Sequence, residues 1–308
     1  MKRILTAIAA ANTFTSAAIA AGDETTPAMT KLKDGVYQFY MAHYSSLVVI
    51  TDEGVLVVDP NHEFRSEAMR AEIAKLTNQP VVKVVYSHDH FDHSRGGQIF
   101  KDEGAEFIAH EGCVELMSRD LENRVVLPDV TYADEYRIEL GDKIIDLKYF
   151  GSSDGQCQSV IHMPDDKVLM GVDWHLPRFL VSNARLNTHD YVGALNTLRR
   201  VSAELDYDTV VSGHLEHSSP ELLAEELAFV EALYVAAWEG LQNGKSVDEL
   251  KGTVKLPGFE DWLFYKKTFQ PMLNGWLTPF GTATEPLTGL RAARSFPTNE
   301  IRIGPQHV

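Results

Sequence analysis

Two residue classes are scarce in this chain of 308 residues: it has 2 cysteines, and 28 lysines and arginines stand against 44 aspartates and glutamates. With so few cysteines a disulfide-built scaffold is excluded, and Cys113 and Cys157 are left either as one disulfide or as two independent thiols. The formal charge of -16 repels phosphate backbones. Nucleic acid is therefore not an expected partner, although a local basic pocket would still take a small anion. A G-x-S-x-G stretch is also missing, so there is no serine nucleophile elbow, and Cys157 has no identifiable partner in sequence that would make it a nucleophile. Apolar runs are short throughout. The hydrophobic fraction of 44% is nevertheless that of a chain that forms a packed core.

The first residues, "MKRILTAIAAANTFTSAAIAAGDE", combine Lys2 and Arg3, a small and apolar run, and Ala18-Ile19-Ala20. This order predicts a secretory signal peptide over residues 1–20, cut after Ala20. Asn12, Thr13, Thr15 and Ser16 make the run too weakly apolar to span a bilayer well. The expectation is a periplasmic or secreted protein, not integrated in the membrane once the leader is removed. Loss of Lys2 and Arg3 takes the charge from -16 to -18.

Beyond a polar linker over residues 21–33, β-branched and aromatic segments ("GVYQFY", "SSLVVIT", "GVLVVD") predict strands joined by tight turns. "EFRSEAMRAEIAKLT" has helical spacing and is followed by Pro80 and a buried strand, "VVKVVYS". The same alternation recurs: a short helix near "GGQIFKDEG", the strand "AEFIAH", a helix over "EGCVELMSRDLE", then "YRIELGD", "KIIDLKYF", "SVIHMP" and "KVLMGVD" as strands. A helix over "HDYVGALNTLRRVSAEL" leads into the strand "DTVVSGH", and after Pro220 the chain reads as mainly helical. The pattern is α/β. The expected main domain covers residues 34–240, with residues 241–308 a helical extension and tail of it.

What is abundant locally is histidine. "SHDHFDHSRGG" places His88, His90, Asp92 and His93 at the C-terminal end of the strand "VVKVVY". On an extended segment His88 and His90 project to one side and reach one metal ion, while Asp92 and His93 on the following turn face a neighbouring position. Gly96 and Gly97 let the backbone turn away. Imidazole with carboxylate suits a catalytic zinc that keeps a position open for water.

The spacing H-x-H-x-D-H after an apolar strand, followed by "GG", resembles the signature of the metallo-β-lactamase superfamily. Three further landmarks keep the family's order: Asp59 at the end of "GVLVVD", Asp173 in "VLMGVD", and His214 in "DTVVSGH". The resemblance implies a four-layer αββα sandwich with extra C-terminal helices. It also implies one site on His88 and His90, a second on Asp92, His93 and His214, and a bridging Asp173. One family position departs. Where a histidine is expected, the chain reads "FGSSDGQCQSV", which puts Asp154 at or beside that place, with Ser153 next to it and Cys157 a third candidate.

The activity this implies is hydrolysis by a metal-bound hydroxide of an ester, lactone, β-lactam or similar bond in a small molecule, with Asp92 orienting the nucleophile. One or two zinc ions are the expected cofactor, with iron or manganese as alternatives because all accept oxygen donors. The altered third-histidine position counts against a standard lactamase. Two other outcomes stand beside it: an iron-dependent oxidoreductase of the same fold, and a metal-depleted binding protein. His175 and Arg178 follow Asp173 in "DWHLPRF" and are candidates to hold substrate in the cleft, the alternative being a surface loop with a salt-bridged arginine. Trp174, Phe179 and Tyr191 read as pocket wall or plain core. His110 reads as a residue behind the metal ligands or on the surface, His162 as structural and His217 as exposed.

Overall fold

A computed structural model describes residues 25–180 and 190–263 together with Tyr265 and Phe269. The expected signal peptide and the Gly-, Pro- and Thr-rich tail lie outside the described residues. Seven strands form one sheet in sequential order: β1 (Ala28–Lys33), β2 (Val36–Met41), β3 (Tyr44–Thr51), β4 (Gly54–Val58), β5 (Val81–Val85), β6 (Glu106–His110) and β7 (Val130–Tyr132). A second sheet has β8 (Glu135–Leu140), β9 (Lys143–Tyr149), β10 (Ser159–Met163), β11 (Val168–Gly171) and β12 (Thr209–Ser212), in the order β12-β11-β10-β9-β8. The helices are α1 (Glu63–Leu76), α2 (Phe91–Ser94), α3 (Gln98–Asp102), α4 (Cys113–Met117), α5 (Tyr191–Glu204), α6 (Pro220–Gln242) and α7 (Val247–Thr253).

Alternation along the strands builds the layers. Leu47 and Val49 of β3, and Leu56 and Val58 of β4, face the second sheet and pack with Ile145, Leu147, Ile161 and Met170. Val48, Val55 and Val57 point the other way, onto Met69 and Ile73 of α1 and Phe100 of α3. Strands apolar on both faces are what a sheet covered on both sides requires. The outer face of the second sheet is covered in turn by α5 and α6 through Leu198, Val201 and Leu223. The result is helix, sheet, sheet, helix, the αββα order implied by the sequence.

Local chemistry sets the helix ends. In α1 Met69 and Ile73 recur at helical spacing on the buried side. The Asp190 carboxylate accepts from the Gly193 N–H to cap α5, Pro220 opens α6, and Ser246 with Glu249 forms a capping box at α7. Two features differ from the sequence reading. β1 lies within the stretch read as a linker and pairs antiparallel with β2, so the sheet begins at Ala28. The helix expected over residues 111–122 is confined to α4. The C-terminal helices pack onto the body: Phe229 and Leu233 of α6 meet Leu250, Trp262 and Tyr265.

Two backbone bonds tie the sheets together at one edge. The Ser45 N–H donates to the Gly213 carbonyl at 2.8 Å, and the Ser159 N–H donates to the Ser87 carbonyl at 2.7 Å. At this edge β4, β5, β11 and β12 end and β10 begins, so the residues just beyond them are brought together from both sheets.

Candidate metal centre

Two groups of donor atoms converge there. His88, His90, Asp154 and Asp173 form one, and Asp92, His93 and His214 the other. In the first, Asp154 Oδ2 lies 3.1 Å from His90 Nδ1 and 3.9 Å from His88 Nε2. Asp173 stands between the groups. Its Oδ2 is 3.6 Å from His88 Nε2 and 3.2 Å from His93 Nε2, and its Oδ1 is 3.2 Å from His214 Nε2. Asp92 Oδ2 completes the second group at 3.8 Å from His93 Nε2 and 3.9 Å from His214 Nε2.

The surrounding hydrogen bonds prepare these atoms for a cation. Asp59, fully buried, accepts from the Ser87 N–H at 2.8 Å and from the Ser87 hydroxyl at 2.6 Å. The hydroxyl's single proton is thereby committed, so at 2.8 Å it accepts from His88 Nδ1–H. That tautomer turns a bare Nε2 toward the centre, where it is buried with no hydrogen-bond partner. The His43 carbonyl, 3.1 Å from His214 Nδ1, likewise leaves Nε2 as the free lone pair. An orphaned buried nitrogen facing a carboxylate-rich cluster, with its ring oriented from behind, is the arrangement of a metal ligand, and the residues fit such an ion.

Charge couples the donors to one another. Burial alone would raise the Asp173 carboxyl, but His93 and His214 beside it hold it well below the usual carboxylate range. Burial would lower His93, yet Asp173, Asp59 and Asp92 raise it well above an ordinary histidine. Burial, with His90 and His93 nearby, pushes His88 down and keeps it a neutral donor. Three carboxylates among seven donors match the charge of divalent cations.

Backbone geometry allows this crowding. Asp173 adopts the left-handed conformation, φ 65°, just past β11. A Cβ on Gly213 would come 2.4 Å from Asp173 Oδ1, and one on Gly155 would come 2.9 Å from the His88 Cβ. Both loops therefore need glycine to close on the cluster.

Cys157 does not compete for the third position. It forms a disulfide with Cys113, with a Cα–Cα distance of 5.3 Å, and so has no thiolate to offer. The bridge fastens the loop that carries Asp154 to α4. Ser153 is buried beside the cluster and is in neither donor group.

Residues 41–214, more than half of the chain, match the family model described as the Metallo-beta-lactamase superfamily. The chain belongs to this superfamily. Among curated relatives, the chain is 24% identical over 247 residues to the 2,4-dinitroanisole O-demethylase subunit alpha of Nocardioides sp. (strain JS1661), covering 76% of this chain and 72% of that one. Among solved structures it resembles a metallo-beta-lactamase from Pontibacter korlensis (TM-score 0.58, 21% identity, 67% of this chain and 99% of that one). It also resembles the stereoselective inverting sec-alkylsulfatase Pisa1 from Pseudomonas sp. (TM-score 0.68, 16% identity), covering 87% of this chain but only 54% of the sulfatase. At these identities the structural likenesses show the fold. Membership and the donor clusters together make this a metal-binding superfamily fold.

The sequence readings of His175 and Arg178 resolve differently. His175 does not reach the cleft: it is fully buried, with Nδ1 2.6 Å from Glu226 and Nε2 2.7 Å from the Ser218 hydroxyl. The left-handed turn at Asp173 sends it inward, where it braces α6. Arg178 makes two bonds to Glu225, at 2.6 and 2.7 Å, on the protein surface and so is the salt-bridged loop arginine. His110 and His162 are both buried, and each donates its Nε2–H to a backbone carbonyl, that of Ala133 at 2.8 Å and that of Asp206 at 2.9 Å.

Sequence reasoning also missed one residue at the mouth. The Tyr44 hydroxyl donates to Asp92 Oδ2 at 3.3 Å, and its ring meets His214 edge-on with centroids 4.6 Å apart. The Arg65 guanidinium lies 3.8 Å from the same ring. Burial and the Asp92 carboxylate raise the Tyr44 pKa, keeping the phenol a donor. Nothing in the sequence around Tyr44 announces this, because the contact is made across the fold.

Proposed function

We propose that this protein is a metal-dependent hydrolase of a small-molecule ester, lactone, sulfate ester or similar bond. The observation that carries the reading is the convergence of two donor groups on one shared carboxylate, Asp173, at an accessible edge of the sandwich. His88, His90 and Asp154 would hold one ion and Asp92, His93 and His214 a second, with Asp173 between them. Zinc is the ion this donor set suits best. Once bound, such ions supply Lewis acidity and a water acidic enough to react near neutral pH.

The chain's own residues supply the rest. Asp92, restrained by Tyr44, is placed to hold and orient the attacking water. Ser87 and Asp59 fix the His88 tautomer. Asp154, a carboxylate where a neutral imidazole is expected, adds a negative charge and makes that water less acidic than a third imidazole would. This departure, and relatives named for O-demethylation and for alkyl sulfates, support a substrate other than a standard β-lactam. The buried disulfide supports the further reading that the protein works in an oxidising compartment, the periplasm or outside the cell.

A second reading has one specific observation behind it. Two imidazoles and a carboxylate, as in His88, His90 and Asp154, are also the donor set of non-haem iron sites. Metal analysis of protein purified without chelator, beside Asp154→Ala and Asp173→Ala, with hydrolysis of neutral esters, lactones, β-lactams and sulfate esters, tests both. Bound zinc and chelator-sensitive hydrolysis are expected. Protein holding no metal would refute the hydrolase. Iron with oxygen consumption would favour the second reading, and metal loss in Asp173→Ala alone would exclude Asp154 as a ligand.

A further inference from the structure

Beside the metal cluster lies a cavity of about 110 Å³. Asp154 and Asp173 close one end, and the remaining wall is almost wholly apolar, with Trp174, Leu180, Tyr191, Leu198, Phe229 and Trp262 contributing most of it. The exception is Glu226, which accepts from the Leu176 N–H and contacts His175 and so is already engaged. Much of the wall comes from α5, α6 and the segment after α7, of which α6 and the segment after α7 lie beyond the residues 41–214 that match the superfamily model.

Size and chemistry decide what it takes. A cavity of roughly 150 Å³ with apolar walls accommodates benzene. At about 110 Å³ the space here is smaller, so it seats at most one ring or a short branched chain, and not a whole substrate, since complete small-molecule sites run to about 300 Å³ or more. An anionic arm would lose its hydration and meet only carboxylates, and a cationic one would meet carboxylates already engaged by His90, His93, His214 and His175. The Ser153 hydroxyl and Trp174 Nε1 belong to residues of the wall and are buried without a hydrogen-bond partner among the described residues. Ser153 is fully buried and Trp174 is 4% exposed, so each would gain a hydrogen bond from an acceptor on a ligand.

We propose that this cavity seats a neutral aromatic or alicyclic arm of the substrate, with the arm's hydrogen-bond acceptor at Ser153 or Trp174 and the reacting group at Asp154 and Asp173. The assignment rests on the hydrolase reading for what happens at the metal end, but the cavity's occupant can be measured without turnover.

Benzyl alcohol and erythritol, with the same number of non-hydrogen atoms, serve as probes. Each is titrated calorimetrically into the full, metal-loaded protein, and metal content is measured on the same samples. Wild type should bind benzyl alcohol at least about tenfold more tightly than erythritol, a difference of the order that one or two buried carbons produce. Ala194→Phe, which fills the cavity from α5, should lose about tenfold for benzyl alcohol with metal content unchanged. Leu198→Ala enlarges the cavity and keeps the test decisive if the first variant fails to fold: it should gain at least about fivefold for 2-naphthylmethanol relative to benzyl alcohol. Equal binding of the two probes by wild type, or wild-type preferences in Leu198→Ala, would overturn the proposal. The expected binding pattern in a protein that hydrolyses nothing would sink the hydrolase reading and still support this one.

Discussion

Reduction of the Cys113–Cys157 disulfide should destabilise the protein and loosen one metal position more than the other. The bridge closes a loop with a sequence separation of 44. Chain-entropy reasoning for a loop of this length gives about 4 kcal/mol of stabilisation at 25 °C, through restriction of the unfolded chain. Both cysteines are fully buried in the core between the first sheet and its helices, so the reduced form also keeps two thiols packed where the bridge was. The assay is equilibrium unfolding in guanidinium with and without reductant, and of Cys113→Ser with Cys157→Ser, with free thiols counted in parallel. A fall of several kcal/mol at constant slope is expected. Because Cys157 stands on the loop that brings Asp154 to His90, competition with a chromophoric chelator should show one ion released more readily from the reduced protein. Equal unfolding midpoints for oxidised and reduced protein, or two titratable thiols in the untreated protein, would refute the reasoning.

Three other substitutions probe separate parts of the structure. Asp59→Asn replaces one of the two oxygens that accept from Ser87 by an NH2 donor, so the Ser87 hydroxyl, and through it His88, is no longer fixed; it should weaken metal binding about 10- to 100-fold while leaving every ligand in place, as read by competition titration. Tyr44→Phe deletes one 3.3 Å bond to Asp92 and keeps the ring; kcat/KM on the best substrate should fall about three- to tenfold with metal content unchanged, and loss of the metal would contradict a purely orienting role. Asp120→Asn breaks a buried pair: burial would raise this carboxyl, but Arg95 at 2.6 Å and the Arg124 N–H hold it below the usual range. A depressed carboxylate stabilises the fold above its unfolded pKa of about 3.9 and loses that contribution as pH falls through its folded value. The variant should therefore be about 1–3 kcal/mol less stable at pH 7 by urea unfolding, with the gap closing below about pH 4; a gap that persists in acid would assign the loss to packing instead.

The parts of the centre readable in the sequence are those whose geometry is local. His88 to His93 follow a strand end, and the alternation of extended backbone together with the turn at Gly96 is enough to aim them. Asp173 and His214 are legible by order, because each follows the end of a buried strand of the second sheet. Asp154 could be named only as one alternative among several, since its position depends on the disulfide, on Gly155 passing His88, and on the Ser159–Ser87 bond between sheets. His175 was misplaced for a related reason, whereas Arg178 took its salt-bridged alternative. The left-handed backbone at Asp173 reverses the direction in which the next side chains point, and no spacing rule carries that information. β1 escaped notice because an edge strand exposes one side and reads as polar, and the cavity wall escaped it because three separated segments compose it.

The two functional halves of the molecule are anchored differently, and this bears on how its specificity is set. The donor atoms stand on the ends of strands in the inter-sheet core, where a shift of a few tenths of an ångström is resisted by closely packed valines, leucines and isoleucines on both sides. The cavity's apolar wall instead rests on α5, α6 and Trp262, which pack mainly on one another and on the outer face of the second sheet. A residue exchanged on α5 or α6 therefore changes the volume offered to a substrate arm without moving a metal ligand. The halves meet at Asp173 and at the Ser153–Asp154 pair, adjacent in sequence, the first of the pair buried in the cavity wall and the second 3.1 Å from His90. A carboxylate at position 154, on a loop that also forms the cavity wall, therefore couples the charge of the centre to the shape of the pocket.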